Sequence, residues 1–413
     1  MSAGLKGSQI LRLATQVNER IAAGDRVFNF TIGDFDPEVF PIPEAFEAEL
    51  HRAYREKKTN YPPSGGLPEV REAVAEWSRE RLGLPHGAED IVISAGARPM
   101  VFAVVNALVD PGDVFLYPVP SWNNNYYAHL GRARPIEVPT RAEHHFLPTA
   151  DALRPHIRHA RILSLCSPLN PSGTAFGADA LSEICDMVLE ENERRGSKER
   201  PLYVIYDQIY WPLTYGRTRH LHPVGLRPAM RDYTLYIDGM SKAFAATGVR
   251  VGWGIGPSDV MKAVRSVISH MGAWSPKPEQ VACARFLTQR DVVDAWLIGF
   301  KAELSDRLDR FHAGIAAMRA RGLPIEAIPP EAAIYLTLRF DVIGRTSGAG
   351  RLLRTADDIF QWLLEEAGLG LVPFHAFGAS GSDQWFRLSV GTCSGERVDA
   401  ALGALEGVLT ALR

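Results

Sequence analysis

Six short apolar runs recur through the middle of the chain, each closed by a turn or small residue: IVISAGA (91–97), VFLYPV (114–119), RILSLCSP (161–168), LYVIYD (202–207), TLYIDGMS (234–241) and VGWGIG (251–256). Between them lie longer stretches of helical period, among them RPMVFAVVNALV (98–109) and ADALSEICDMVLEENERR (178–195). A short run that is apolar throughout suits a strand covered on both faces. Such strands alternating with helices build a mostly parallel sheet between two helical layers. The pattern therefore predicts a three-layer α/β/α large domain.

The texture changes near 291, where the charged amphipathic segment DVVDAWLIGFKAELSDRLDRFHAGIAAMRARG (291–322) reads as one long helix able to bridge two domains. The strand-like pieces AIYLTLRF (333–340) and WFRLSV (385–390) follow it, with helical segments between and after. A smaller α+β domain is expected there, completed by the N-terminal segment. The expected division is 1–50 with the small domain, 51–294 as the large domain and 295–413 as the small C-terminal domain. At 413 residues the chain is long enough for two such units.

Net charge and cysteine usage narrow the class of function. A formal net charge of −3 argues against a general nucleic-acid surface. No apolar run approaches the roughly 18 residues of a membrane span. The N-terminal stretch MSAGLKGSQILRLATQVNER reads as an amphipathic helix and lacks the apolar centre and cleavage site of a signal peptide. Cys166, Cys185, Cys283 and Cys393 are scattered, with no C-x-x-C pair and no metal-ligand spacing, as in reduced structural thiols. A cytoplasmic protein without a metal site is expected.

In open α/β sheets ligands bind at the carboxyl ends of the strands, and the distinctive residues sit there. Gly96 and Ala97 stand where a strand passes into a helix, so free N–H groups and the helix dipole would face an anion, although small residues are common at such turns. Trp122, in YPVPSWNNNYY (117–127), offers a flat face for stacking, or a core side chain. Asn170 lies in the rigid turn SPLNPSGT (167–174). Asp207 ends an apolar strand, where a carboxylate is costly without a cation or donors, and Tyr210 follows three residues on. In GMSKAFAATGVRVGWGIG (239–256), Lys242 sits among small and apolar residues. It is either a snorkelling surface lysine or an amine held in a low-dielectric pocket, able to form a Schiff base. Ser241 and Arg250 could supply a hydroxyl and a guanidinium fork to a phosphate beside it.

Phosphate seat, stacking plane, donors to a phenolic oxygen, carboxylate for a ring nitrogen and lysine are the parts needed to hold pyridoxal 5'-phosphate. In these motifs, from FTIGDFDP (30–37) to FRLSVGT (386–392), the chain resembles the fold type I aminotransferases of class I/II, the aspartate aminotransferase superfamily. The resemblance implies that Lys242 is the Schiff-base lysine, that Asp207 partners the pyridine nitrogen, and that Asn170 and Tyr210 donate to the phenolic oxygen. By the same resemblance Gly96, Ala97, Ser241 and Arg250 form the phosphate cup, Arg387 grips the substrate α-carboxylate, and Gly33 closes over it. Tyr61, in NYPPSGGLPEVREAV (60–74), matches a tyrosine that reaches the neighbouring subunit's phosphate, which implies a homodimer with shared sites. Cis peptide bonds are implied before Pro120 and Pro171. Gly239 departs from those members that carry a phosphate-binding serine at its place.

The activity implied is amino-group transfer between an L-amino acid and a 2-oxo acid by a ping-pong mechanism, with Lys242 moving the α-proton. Arg98, in the first helical turn after Ala97, matches a basic residue that meets the distal carboxylate in some relatives. This favours aspartate or glutamate with 2-oxoglutarate over aromatic or neutral amino acids. A solvated first-turn arginine is the plainer alternative for Arg98. A pyridoxal-phosphate lyase on the same scaffold and a cofactor-binding transcription regulator are the other readings. The regulator is disfavoured by the charge balance and by a resemblance that begins near residue 30.

Overall fold

The computed structural model describes residue 7, residues 9–381 and residues 383–413. The predicted N-terminal helix runs over Gln9–Ala22; residues 1–6 and 8 of the stretch assigned to it lie outside the described residues.

A two-residue strand, β1 (Phe28–Asn29), precedes the large sheet. That sheet contains β2 (Ile91–Ser94), β3 (Val114–Val119), β4 (Arg134–Pro139), β5 (Ala160–Cys166), β6 (Tyr203–Asp207), β7 (Thr234–Gly239) and β8 (Gly252–Ile255). Their spatial order is β2-β8-β7-β6-β5-β3-β4. All neighbours are parallel except β8, which runs antiparallel to both β2 and β7.

The apolar runs alternate between two cores, as a strand buried on both faces must. Val92, Phe115, Tyr117, Ile162, Ile205 and Ile237 pack on one face with the helices Ala97–Leu108 and Ser258–Met271. Ile93, Leu116, Leu163, Val204, Tyr206 and Tyr236 pack on the other with Pro68–Leu82, Ala178–Arg195 and Lys277–Leu287. Both faces are apolar because both are covered.

One strand of this sheet has no counterpart among the six runs. β4 pairs only with β3, so it forms an edge, and its sequence RPIEVP is largely exposed. It carries a proline at its second and last positions, which an edge strand tolerates.

The long helix spans Arg290–Ala320, passing without interruption through position 294. After it come β9 (Ile325–Ala327), β10 (Tyr335–Phe340), β11 (Leu369–Gly370), β12 (Val372–Pro373) and β13 (Trp385–Ser389). A four-stranded antiparallel sheet has the order β12-β13-β10-β9. β1 pairs in parallel with β11, joining the N-terminal segment to this part of the chain. Among the described residues no helix is long and apolar enough to cross a membrane, and no group of three metal-ligating side chains converges.

Candidate active site

A cavity of about 530 Å³ opens at the carboxyl ends of β3, β5, β6 and β7 and is closed on its other side by the 31–34 segment, Tyr335 and Arg387. Lys242 reaches it from the short helix Met240–Ala243 that follows β7. Its Nζ donates to the Gly33 carbonyl at 2.6 Å and lies over the rings of Phe35 and Tyr210, at 5.7 and 5.9 Å from their centroids. A snorkelling lysine would send its ammonium to water, whereas this one turns inward. Burial lowers its pKa to about 8; the Asp34 carboxylate opposes the shift, and Arg387, Arg98 and Arg250 add to it.

Asp207 ends β6, its Oδ1 accepting the Ile209 N–H at 3.1 Å. Burial raises its carboxyl to about 6, and that backbone N–H recovers part of the cost. Among the described residues it has no ion-pair partner. A ligand with a cationic N–H would relieve the carboxylate.

The turn after β5 contains two cis bonds, Ser167–Pro168 and Asn170–Pro171, and Val119–Pro120 is cis at the end of β3. The bonds before Pro120 and Pro171 were expected, and that before Pro168 was not. The turn holds Asn170 so that its Oδ1 accepts Arg387 Nη1 at 2.9 Å, leaving its amide NH₂ as the donating end. Arg387 is 1 % exposed. Its Nη2 donates to the Thr31 carbonyl at 2.7 Å, and its Nε has no partner. The rings of Tyr335 and Phe377 flank its guanidinium at 4.6 and 4.9 Å. A buried guanidinium with an unsatisfied donor and, among the described residues, no ion-pair partner is a seat for a carboxylate from outside.

At the β2 end, Gly96 adopts φ +94° as the N-cap of the Ala97–Leu108 helix. That φ favours glycine, and a Cβ built on Gly96 would displace the Arg250 guanidinium from its place. Arg250 donates to the Thr247 and Ala95 carbonyls, each at 2.7 Å. This fixes its guanidinium beside the uncapped helix start, with Ser241 lining the same wall. The arrangement suits a phosphate. Gly239 has no hydroxyl to add: a Cβ there would come within 2.8 Å of the Gly252 Cα at the start of β8 and of the Val251 carbonyl just before it.

Trp122 and Arg98 meet each other at the cavity wall. The Arg98 guanidinium lies 4.9 Å from the Trp122 ring centroid, so this face of the tryptophan holds a cation here. Arg98 is exposed and has no ion-pair partner among the described residues. Tyr61 does not line the cavity of its own chain; it is 83 % exposed and meets Trp274 edge-on at 5.6 Å.

Several lining residues escaped the sequence reading. Asp34 adjoins Gly33, and Ser164 donates to Asn124 Oδ1 at 3.1 Å in the cavity wall. Tyr335 places its hydroxyl 2.5 Å from that of Tyr210. The adjacency of Asp34 to Gly33 was a visible signal. The pairing of residues 210 and 335 was not, because it depends on how two distant segments pack.

The chain resembles known proteins over nearly its whole length. Residues 25–405 match the family Aminotransferase class I and II. The chain is 28% identical over 405 residues to aspartate aminotransferase of Rhizobium meliloti (strain 1021), covering 95% of this chain and 92% of that one. It is 29% identical over 411 residues to aspartate/prephenate aminotransferase of Thermus thermophilus, covering 98% and 97%. The crystal structure of the Rhizobium meliloti aspartate aminotransferase superposes with a TM-score of 0.89 at 27% identity, covering 100% of this chain and 98% of that one.

Proposed function

This chain belongs to the class I and II aminotransferases and is a pyridoxal-phosphate-dependent transaminase, and we propose that its substrates are aspartate or glutamate with 2-oxoglutarate. The residues present fit the cofactor. Asp207 is a half-buried carboxylate with no ion-pair partner among the described residues, Arg250 and the open start of the Ala97–Leu108 helix form an anion seat, and Lys242 offers an inward-facing amine.

When bound, pyridoxal phosphate supplies an electron sink for the charge left at Cα as the α-proton departs. In this reading Asp207 holds a proton on the ring nitrogen, which deepens the sink. Asn170 and Tyr210 donate to the phenolic oxygen, and Gly96, Ala97, Ser241 and Arg250 hold the phosphate. Arg387 takes the α-carboxylate in a charge-assisted pair, orienting the Cα–H bond toward Lys242. The Lys242 amine then receives the α-proton. A pKa near 8 leaves an appreciable neutral fraction at physiological pH, as a general base requires.

The dicarboxylate reading rests on Arg98, a cation at the cavity wall that stacks on Trp122 and has no ion-pair partner among the described residues. Replacing Arg98 by alanine is expected to lower kcat/KM for aspartate by roughly 10- to 100-fold more than for phenylalanine or alanine, the range for one hydrogen bond to a charged group. An equal loss across substrates would assign Arg98 to the cofactor or the scaffold. One observation favours the second reading, aromatic or neutral amino acids: Ile10, Leu11, Ala14 and Ile32 give the cavity an apolar wall. The same kinetic comparison separates the two readings.

We also propose a cytoplasmic homodimer in which Tyr61 completes the partner's phosphate seat. Its 83 % exposure suits a side chain that acts outside its own subunit. Sedimentation is expected to give a dimer, and Tyr61→Phe to weaken cofactor binding about tenfold, the loss of one hydrogen bond to a charged group. A fully active monomer would refute the shared site.

A further inference from the structure

Tyr335 touches three separate parts of the cavity. β10 and β13 pair with Thr337 opposite Arg387 and Tyr335 opposite Ser389, so Tyr335 and Arg387 are diagonal neighbours on one face of the sheet. The Arg387 guanidinium lies over the Tyr335 ring at 4.6 Å. The Tyr335 hydroxyl reaches Tyr210 Oη at 2.5 Å, and a Cβ added to Gly33 would stand 2.6 Å from the same oxygen. Tyr335 is 1 % exposed, so its hydroxyl must find a partner inside the protein.

Each phenol has one proton to donate. If Tyr210 donates to Tyr335, it has no proton left for a ligand. If Tyr335 donates to Tyr210, the Tyr210 proton is free to point into the cavity. The Arg387 guanidinium over the Tyr335 ring favours the second arrangement, because a positive charge against that ring draws electron density from its hydroxyl and makes it the better donor.

We infer that Tyr335 is a positioning residue that serves both ends of the site: its hydroxyl aims the Tyr210 proton into the cavity, and its ring face fixes the plane of the Arg387 guanidinium. The inference rests on the reading of Tyr210 as a donor to the cofactor's phenolic oxygen. It gives the two functions of Tyr335 to different parts of one side chain, so they can be separated by substitution. Phenylalanine keeps the ring and removes the hydroxyl, and leucine removes both.

The test uses the cofactor-loaded wild type, Tyr335→Phe, Tyr335→Leu and Tyr210→Phe. Two quantities are measured: the pH midpoint of the bound cofactor's visible absorption change, and the dissociation constant for maleate, a dicarboxylate without an amine. A weaker donor leaves more negative charge on the phenolic oxygen, which holds the cofactor's proton more tightly. Tyr335→Phe is therefore expected to raise the midpoint by about half a pH unit, the size of one neutral hydrogen bond, in the same direction as Tyr210→Phe and by less. Its maleate affinity should stay within about twofold of wild type, because the ring under Arg387 remains. Tyr335→Leu should show the same midpoint shift and bind maleate about tenfold more weakly, as loss of a desolvated cation–π contact implies. A wild-type midpoint in Tyr335→Phe while Tyr210→Phe shifts would overturn the hydroxyl role alone. Unchanged maleate binding in Tyr335→Leu would overturn the ring role. An unmoved midpoint in Tyr210→Phe would overturn the donor reading of Tyr210, and the hydroxyl role with it.

Discussion

Replacing Lys242 by alanine is expected to reduce amino-group transfer by about 10⁴-fold or more, the upper range for a positioned proton-transfer group, while the protein still folds and binds pyridoxal phosphate noncovalently. The amine lies in the cavity against the Gly33 carbonyl, and the charged groups acting on it are Asp34, Arg98, Arg250 and Arg387. The three guanidinium groups cannot replace it, since each carries donors only. Stability should move the other way from activity. Burial lowers the Lys242 pKa from 10.5 to about 8, so the native apoprotein binds fewer protons than the unfolded chain between those values. The cost of burying the ammonium is therefore present in full below about pH 8 and is relieved as pH rises through that window. At pH 7 the alanine variant of the apoprotein is expected to unfold at a temperature no lower than wild type. Single-turnover spectra with aspartate and a thermal scan check the two halves. Turnover within tenfold of wild type would remove Lys242 from the chemistry.

The second large effect belongs to Asp207. Asp207→Ala is expected to lower kcat by roughly 10²- to 10⁴-fold, because removing one partner of a buried charge pair costs about 3–5 kcal/mol. The ring nitrogen then loses its proton and the electron sink weakens. Here too the apoprotein reports independently. The Asp207 carboxyl is raised from 3.8 to about 6 by burial, so the native state binds more protons than the unfolded chain in that interval. Stability conferred by the protonated form is present below about pH 4 and is lost as pH rises through 6. Asp207→Asn should thus stabilise the apoprotein at pH 7 relative to wild type and show a flatter dependence between pH 4 and 6. Near-normal turnover in Asp207→Ala would make the carboxylate structural.

Much of the scaffold was readable because its strands are buried on both faces. VFLYPV coincides with β3 at Val114–Val119, and the helical stretch 178–195 coincides with Ala178–Arg195. The edge strand Arg134–Pro139 was not readable, since an exposed strand with two prolines carries neither an apolar run nor a clean alternation. In the site, Lys242, Asp207, Asn170, Tyr210, Ser241, Arg250 and Arg387 all line one cavity, together with Gly33, Ala97, Arg98 and Trp122. Most stand at a strand end, in a turn or in the first turn of the helix that follows, where local sequence indicates position, whereas Arg387 sits mid-strand in β13. The pairing of Tyr335 with Tyr210 depends instead on the register that sets Thr337 opposite Arg387, and that register joins segments far apart in the chain. The contact of Arg98 with Trp122 was hidden for the same reason: each residue was legible and their stacking was not.

Reduction of the cofactor-loaded protein with borohydride, followed by peptide mapping, tests the identity of the catalytic amine most directly. The account predicts a single modified lysine, Lys242, in the peptide that contains Ser241 and Phe244, and no modified lysine in Lys242→Ala. Cofactor mass fixed stoichiometrically on any other lysine, with Lys242 unmodified, would contradict it.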